Sequence, residues 1–392
     1  MDARRTALIL AICQGLALSS TTALSAVSGL VGTLLAPTGA LATLPLACVA
    51  LTMAAATIPA SVFMERYGRR AGFMLGASFG VAGGATLATA VFYHSFTTFC
   101  LGNALIGCFG SFVPYYRFAA ADAAAGSAFQ SRAVAWVMAG GIAAAVIGPT
   151  VANFGKDLIA PVFAGSFIAM TLLSGLSLML VALLDIPTAK HTAVEARGRS
   201  FGVIMRQPVF IAALSNGIIC SAVMVLVMTA SPLAVVGCGH SSSDAIGVVR
   251  LHLIGMYLPS FFTGTLIARH GAAPVILTGI GLLLLSALIA LSGAALPYFW
   301  TALTILGVGW NFMYVGATVL LTESYQPEER AKVQGVSEFI SLAVVTIAAL
   351  SSGGIFAYSG WQAINYLVFP LLLIAASITT WYSFFTRREA LC

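Results

Sequence analysis

Apolar residues in this chain come in long unbroken runs separated by short polar stretches. Twelve such runs fall near 6–30, 40–63, 72–92, 97–121, 131–153, 159–184, 208–235, 246–268, 273–293, 298–321, 333–356 and 362–384. A helix needs about 20 apolar residues to cross the hydrocarbon of a bilayer. The pattern therefore predicts twelve transmembrane helices, spans 1 to 12 in chain order. Outer-membrane strands alternate apolar and polar positions instead, so runs of this length exclude a barrel. The first run is too long for a signal peptide, has no clear small-residue cleavage site and flows into a second span. It is expected to stay in the protein as a helix.

The polar positions divide the chain. The longest polar stretch, Asp185 to Gln207, separates six spans from six. This predicts an N-terminal half over 1–185, a linker over 186–207 and a C-terminal half over 208–392. Weak echoes recur between the halves. Gln14-Gly15 in span 1 matches Asn216-Gly217 in span 7, and Arg66-Tyr67-Gly68 after span 2 matches Arg269-His270-Gly271 after span 8. Ile106-Gly107 and Ser111-Phe112 in span 4 match Leu306-Gly307 and Asn311-Phe312 in span 10. Arg132-Ala133 before span 5 matches Arg330-Ala331 before span 11. Offsets of 198 to 203 residues, in corresponding spans, argue for duplication. The expected fold class is an all-α membrane protein of two six-helix pseudo-repeats around a central cavity.

Composition agrees and charge adds an orientation. Hydrophobic residues make up 60% of the chain and charged residues 8%, with a mean hydropathy of +1.00. A soluble domain carries about 25% charged residues, so soluble, disordered and collagen-like chains are excluded. The net charge of +6 could suggest nucleic acid, but the positions of the basic residues decide otherwise. With both termini cytoplasmic, sixteen of the eighteen Lys and Arg residues lie on cytoplasmic segments, and only Lys156 and Arg250 do not. Positive residues concentrate on the cytoplasmic side of inner-membrane proteins. The lipid bilayer is therefore the expected partner, with no nucleic acid, and the expected location is a bacterial inner membrane with the linker in the cytoplasm. Seven cysteines occur without a CxxC pair, and Cys13, Cys48, Cys100, Cys108 and Cys220 sit inside apolar runs. They are expected to be buried thiols, so neither a metal nor another cofactor is implied.

Between spans 2 and 3 the residues Ser61-Val62-Phe63-Met64-Glu65-Arg66-Tyr67-Gly68-Arg69-Arg70 resemble motif A of the major facilitator superfamily of secondary transporters, with Ser61 in place of its first glycine. Gly264 to Gly271 resembles a second copy, with Ala268 where the acid belongs. Span 5 carries Gly140, Ala144, Gly148 and Pro149, which resemble motif C but end in Ala152-Asn153 instead of glycines. Small residues every fourth position also allow plain helix packing, so no transport direction follows from them. The resemblance covers essentially the whole chain. It implies gating by Glu65, Arg66, Gly68, Arg69, Asp122, Arg132, Arg269 and Arg330, with Glu65 toward the start of span 11 and Arg69 toward Asp122. Topology-setting by the arginines is the competing reading. The runs Pro114 to Asp122, Leu306 to Phe312 and Glu329 to Gln334 resemble a largely uncharacterised bacterial branch associated loosely with riboflavin uptake.

A charge inside a span costs about 2.5–3.5 kcal/mol on insertion scales, so each intramembrane charge is a functional candidate. Glu338, two turns into span 11, is the candidate for proton coupling; pairing with Arg330 or Lys332 is its structural alternative. Arg117 ends span 4 behind Tyr115 and Tyr116, and Arg250 and His252 lie in the outer third of span 8. Gln14, Asn216, Trp310, Asn311 and Tyr314 lie on spans 1, 7 and 10, which line the cavity in the family. These ten residues are the candidate solute site, and an aromatic lining with amide and guanidinium donors suits a small polar or anionic aromatic solute. Snorkelling is the competing reading for the arginines and helix packing for the others.

The function expected is secondary active transport of such a solute by alternating access, riboflavin uptake included, by a monomer with a proton as coupling ion. A proton-coupled drug or metabolite efflux antiporter, a channel and a transporter-like sensor are the other readings. No G-x-x-x-x-G-K-[ST] loop occurs, which argues against a primary pump. Gly76-Ala77-Ser78-Phe79-Gly80 fits G-x-S-x-G but lies within span 3 and not at a strand-to-helix elbow, so no enzyme is expected and no catalytic residue is assigned.

Overall fold

The structure, a computed structural model, describes residues 3–37, 41, 44–184 and 199–389. Most of the expected linker, residues 186–198, lies outside the described residues, as does Asp185. Among these residues every regular element is a helix. Twelve helical stretches are long and apolar enough to cross a membrane: Ala3–Ser25, Leu44–Tyr67, Arg69–Phe92, Phe96–Ala123, Gln130–Gly155, Ala164–Ala182, Pro208–Gly237, Gly247–His270, Ala272–Ser292, Leu296–Glu323, Arg330–Phe356 and Tyr358–Phe385. These are spans 1 to 12, and the chain is a multi-pass membrane protein.

Helix ends depart from the apolar pattern in two places. The first helix runs from Ala3 to Leu35, past the expected end near 30. Spans 11 and 12 are not separated by a loop at 357–361. Two helices fill Arg330 to Glu389 and meet at a kink at Gly360, whose φ of 75° is open to glycine at little cost. Three spans are broken internally, span 5 at Gly140 and two others each at a proline. Span 4 consists of Phe96–Gly110 and Tyr115–Ala123 around Pro114, and span 8 of Ser242–Tyr257 and Ser260–His270 around Pro259. A proline lacks an N–H and crowds the preceding turn, which breaks the helical ladder. The break before Tyr115 is spanned by short i to i−3 bonds, Tyr115 N to Phe112 O and Tyr116 N to Val113 O at 3.1 Å each. It gives Tyr115, Tyr116 and Arg117 a helix direction of their own.

The described residues pack as two units. The first takes those within Met1–Ala123, Gly140–Glu195 and Gln334–Phe339; the second takes those within Ala124–Ala139, Ala196–Val333 and Ile340–Cys392. The division differs from the linear halves in two short segments. The start of span 5 packs in the second unit, where Ser131 Oγ donates to the Gly264 carbonyl at 2.8 Å. Residues 334–339 of span 11 pack in the first unit, through side chains described below.

The same crossing is built once in each unit. In the first, Thr52 Oγ1 donates to the Ala104 carbonyl at 2.9 Å beside Gly107, where any Cβ would overlap Thr52. In the second, His252 Nδ1 bonds the Leu303 carbonyl at 2.9 Å beside Gly307, where a Cβ would meet the His252 carbonyl at 2.5 Å. These positions are 199 or 200 residues apart, which makes the pseudo-repeat concrete. The turns after spans 2 and 8 match too: Gly68 and Gly271 have φ of 87° and 83°. A side chain there would clash with the following carbonyl, so the two glycines are required by the turn. Lipid and helix surfaces are equally apolar, so close packing at small residues replaces the hydrophobic drive that holds a soluble core.

Candidate functional site

Two clusters of candidate residues form in the first unit. Arg69 opens span 3 directly after the Gly68 turn, and the turn aims its side chain inward, where it is 5% exposed. Arg69 Nη2 donates to Asp122 Oδ2 at 2.8 Å and to Gln334 Oε1 at 2.7 Å. Its guanidinium carbon lies 6.0 Å from the centre of the Tyr115 ring, and Tyr115 Oη donates to the Thr57 carbonyl at 3.0 Å. Tyr115 thus belongs to the Arg69 cluster. The serine that departs from motif A has a counterpart here. A Cβ added to Gly335 would stand 3.0 Å from both Cβ and Oγ of Ser61, so the glycine needed for close approach sits on span 11 and not on span 2.

One turn further along span 11 is the second cluster. Arg117 Nη2 donates to Glu338 Oε1, with the side chains 9% and 11% exposed. Glu338 therefore pairs with Arg117 rather than with Arg330 or Lys332, which the sequence offered as partners. The guanidinium of Arg117 also stands 4.7 Å from the centre of the Phe118 ring. Gln334 and Glu338 are four residues apart and share a helix face, so one face of span 11 meets two buried arginines in succession. Taking a charge pair out of water is costly, and the pair offsets that cost only while both partners remain. Tyr116 is fully buried and packs edge-on to Phe73 at 4.7 Å, as a core residue does. Gln14 is 8% exposed, and its Oε1 has no hydrogen-bond partner among the described residues.

In the second unit Trp310 and Tyr314 stack, with ring centres 4.5 Å apart and planes 17° from parallel. Tyr257 meets Trp310 edge-on at 6.4 Å, and Trp310 Nε1 has no hydrogen-bond partner among the described residues. This gives an aromatic face with one unspent donor. Asn311 is used differently. Its Nδ2 donates to the Met256 carbonyl and to Ser260 Oγ, and its Oδ1 accepts from Thr263 Oγ1, each at 2.7 Å. It thereby re-bonds the backbone freed at Pro259 and holds span 10 to span 8, so Trp310, not Asn311, shares Tyr314's contact. Asn216 Nδ2 donates to Thr379 Oγ1 at 2.8 Å, tying span 7 to span 12. His252 is fully buried in the span 8 and span 10 crossing, while Arg250 is exposed.

The remaining gating candidates lie apart. Glu65 is half-buried on the last turn of span 2, and Arg66 is exposed with its guanidinium 5.5 Å from the Tyr67 ring centre. Arg132 and Arg269 are exposed and Arg330 is half-buried. The Arg132 backbone supplies part of the surface against Gly264.

One cluster went unread in the sequence. Glu329 Oε1 accepts from the Arg199 backbone N–H at 2.7 Å and from Arg199 Nε at 2.9 Å, and Oε2 accepts from Arg199 Nη2 at 2.6 Å and Gln326 N–H at 3.0 Å. Its side chain is 2% exposed. The Arg199 hydrogen bonds hold the Glu329 carboxyl down to about 2 from an ordinary 4.5, and the backbone N–H groups add to the effect. A carboxyl lowered in this way stabilises the fold fully above its ordinary value and loses that contribution as pH falls through its folded value. The gap in thermal unfolding midpoint between the protein and Glu329→Gln is thus expected to stay constant from pH 7 to 5. It should shrink steadily from about pH 4.5 toward pH 2. A gap that closes already at pH 6 would exclude this pairing.

Comparisons with known proteins agree with this architecture. The family model described as Major Facilitator Superfamily matches residues 10–256 and 239–391. The riboflavin transporter RfnT of Brucella anthropi is 42% identical over 375 residues, covering 95% of this chain and 94% of that protein. Among solved structures, the human organic anion transporter MFSD10 aligns with a TM-score of 0.76 at 15% identity, over 97% of this chain and 100% of that one. The Escherichia coli fucose:proton symporter FucP aligns with a TM-score of 0.76 at 14% identity, over 97% and 99%. At such identities the structures speak for the fold, while the family rests on the sequence matches. Twelve spans in two repeats, a motif A turn and these matches lead to one placement: the chain belongs to the Major Facilitator Superfamily.

Proposed function

We propose that this protein carries riboflavin across a bacterial inner membrane, inward and by alternating access. The observation that carries this reading is the 42% identity, along nearly the whole chain, to a transporter of riboflavin. The stacked Trp310 and Tyr314 support it, because an isoalloxazine ring is a flat aromatic that such a face can receive. The unspent Trp310 Nε1 donor suits one of its ring carbonyls. Transport of this kind forms no covalent bond, so no residue acts as a catalyst and no cofactor takes part.

Within the same proposal, Glu338 carries the coupling proton. Protonation removes its charge and releases Arg117, so loading a proton and loosening residues 334–339 become one event. Arg69, Asp122 and Gln334 form a gate that fixes the same segment, with Glu65, Arg66, Gly68, Arg132, Arg269 and Arg330 supporting the turns around it. The halves are 1–185 and 208–392, both termini and the 186–207 linker are cytoplasmic, and the protein works as a monomer.

Quenching of flavin fluorescence by the purified protein tests the substrate. Micromolar riboflavin should be quenched saturably, and Trp310→Ala should weaken binding about tenfold, since aromatic contacts of this kind contribute about 0.5–1.5 kcal/mol beyond area burial. Absence of quenching, alongside clear binding of another solute, would retire riboflavin.

A further inference from the structure

The chain after the linker is fastened to the start of span 11 at one point. Arg199 makes three hydrogen bonds to the Glu329 carboxylate, and its Nη2 also donates to the Ser324 carbonyl at 3.1 Å. Gln207 Nε2 donates to that same carbonyl at 3.1 Å. Segment 199–207 therefore grips both ends of the short loop from Ser324 to Glu329. The Lys332 ammonium stands 5.4 Å from the centre of the Phe201 ring, which brings a third element to the contact. The Glu329 side chain is 2% exposed, and Arg199, itself 35% exposed, is engaged through both its side chain and its own N–H.

Glu329 also starts the helix, since its carbonyl accepts the Val333 N–H at 3.0 Å. From Arg330 to Phe339 the helix has no proline and no residue with positive φ. In a straight helix each residue adds a fixed rise of about 1.5 Å and a fixed rotation. Whatever fixes the first turn thus fixes the direction in which Gln334 and Glu338 project.

We propose that Arg199 and Glu329 are a positioning pair for transport: the post-linker segment sets the rotation of span 11 at which Gln334 and Glu338 engage Arg69 and Arg117. The significance of Glu338 in this rests on the transport reading above; the positioning itself does not. The end of the linker is then a working part of the carrier and not a passive tether.

Amide hydrogen exchange on the purified full-length protein tests the positioning without any substrate. Arg199→Gln should raise exchange of amides 334–339 at least tenfold while leaving spans 3 and 9 unchanged. Arg199→Lys, which keeps a charged donor, should recover at least half of the protection. In proteoliposomes, Arg199→Gln should lower the maximal rate of riboflavin counterflow per riboflavin-binding molecule at an unchanged half-saturating concentration; counting only binding-competent protein removes any loss through general destabilisation. Wild-type protection of 334–339 in Arg199→Gln would overturn the proposal. If the unaltered protein shows no riboflavin counterflow, the substrate reading fails while the exchange result still decides the positioning.

Discussion

Glu338→Gln is expected to abolish accumulation of riboflavin driven by a pH gradient while sparing exchange of internal for external riboflavin. Exchange requires only that the loaded carrier reorient, whereas accumulation, under the coupling proposed above, requires a proton to travel with the solute. Glutamine keeps the size and the hydrogen-bonding oxygen of the side chain, so Arg117 retains an acceptor but loses its counter-charge. Arg117→Gln is also disruptive, because it leaves the buried Glu338 carboxyl without its cation. Removing one partner of a buried pair costs about 3–5 kcal/mol. The double variant Arg117→Gln/Glu338→Gln should therefore unfold at a higher temperature than Arg117→Gln alone, as removal of both charges restores neutrality. An unchanged pH dependence of accumulation in Glu338→Gln would reduce the pair to a structural role.

Gly140→Val should prevent accumulation of folded protein. A Cβ at Gly140 would overlap the Ala11 carbonyl oxygen, and one at Gly15 would lie 2.7 Å from the Gly140 carbonyl oxygen, so spans 1 and 5 meet backbone against backbone. Overpacking a core whose side chains can yield costs about 1–3 kcal/mol. Here the obstacle is main chain on both sides, and the cost should exceed that range. Gly175→Val is the control, since among the described residues nothing lies within 4 Å of a Cβ there. Yield and unfolding temperature in detergent report both. Folded Gly140→Val at the wild-type level would mean that the small-residue series of span 5 is not a contact surface.

What the sequence made legible was whatever repeats or punctuates. Twelve apolar runs located twelve helices because the bilayer sets one length for each, and the echoes near 200 residues located the duplicated crossings and the paired Gly68 and Gly271 turns. Pro114 and Pro259 were visible residues, yet the breaks they cause were not read, because a long apolar run masks an interruption of one turn. Partners across the chain were harder. Arg69 and Asp122 came from family resemblance, but Gln334 was missed although it shares a helix face with Glu338. Arg199 and Glu329 are 130 residues apart with nothing local to link them. Asn311 and His252 show the opposite difficulty. A polar residue inside a span draws attention as a ligand for solute, while its energetic need is met by a carbonyl freed at a break or crossing. Spacing alone does not tell these two uses apart.

Riboflavin counterflow into proteoliposomes holding the purified protein bears most directly on its function. Vesicles preloaded with unlabelled riboflavin should take up external labelled riboflavin transiently above equilibrium, with a rate that saturates and falls at least tenfold in Trp310→Ala. A labelled flux that rises linearly with concentration and gains nothing from internal riboflavin would contradict a riboflavin carrier, most decisively if another solute exchanges in the same vesicles.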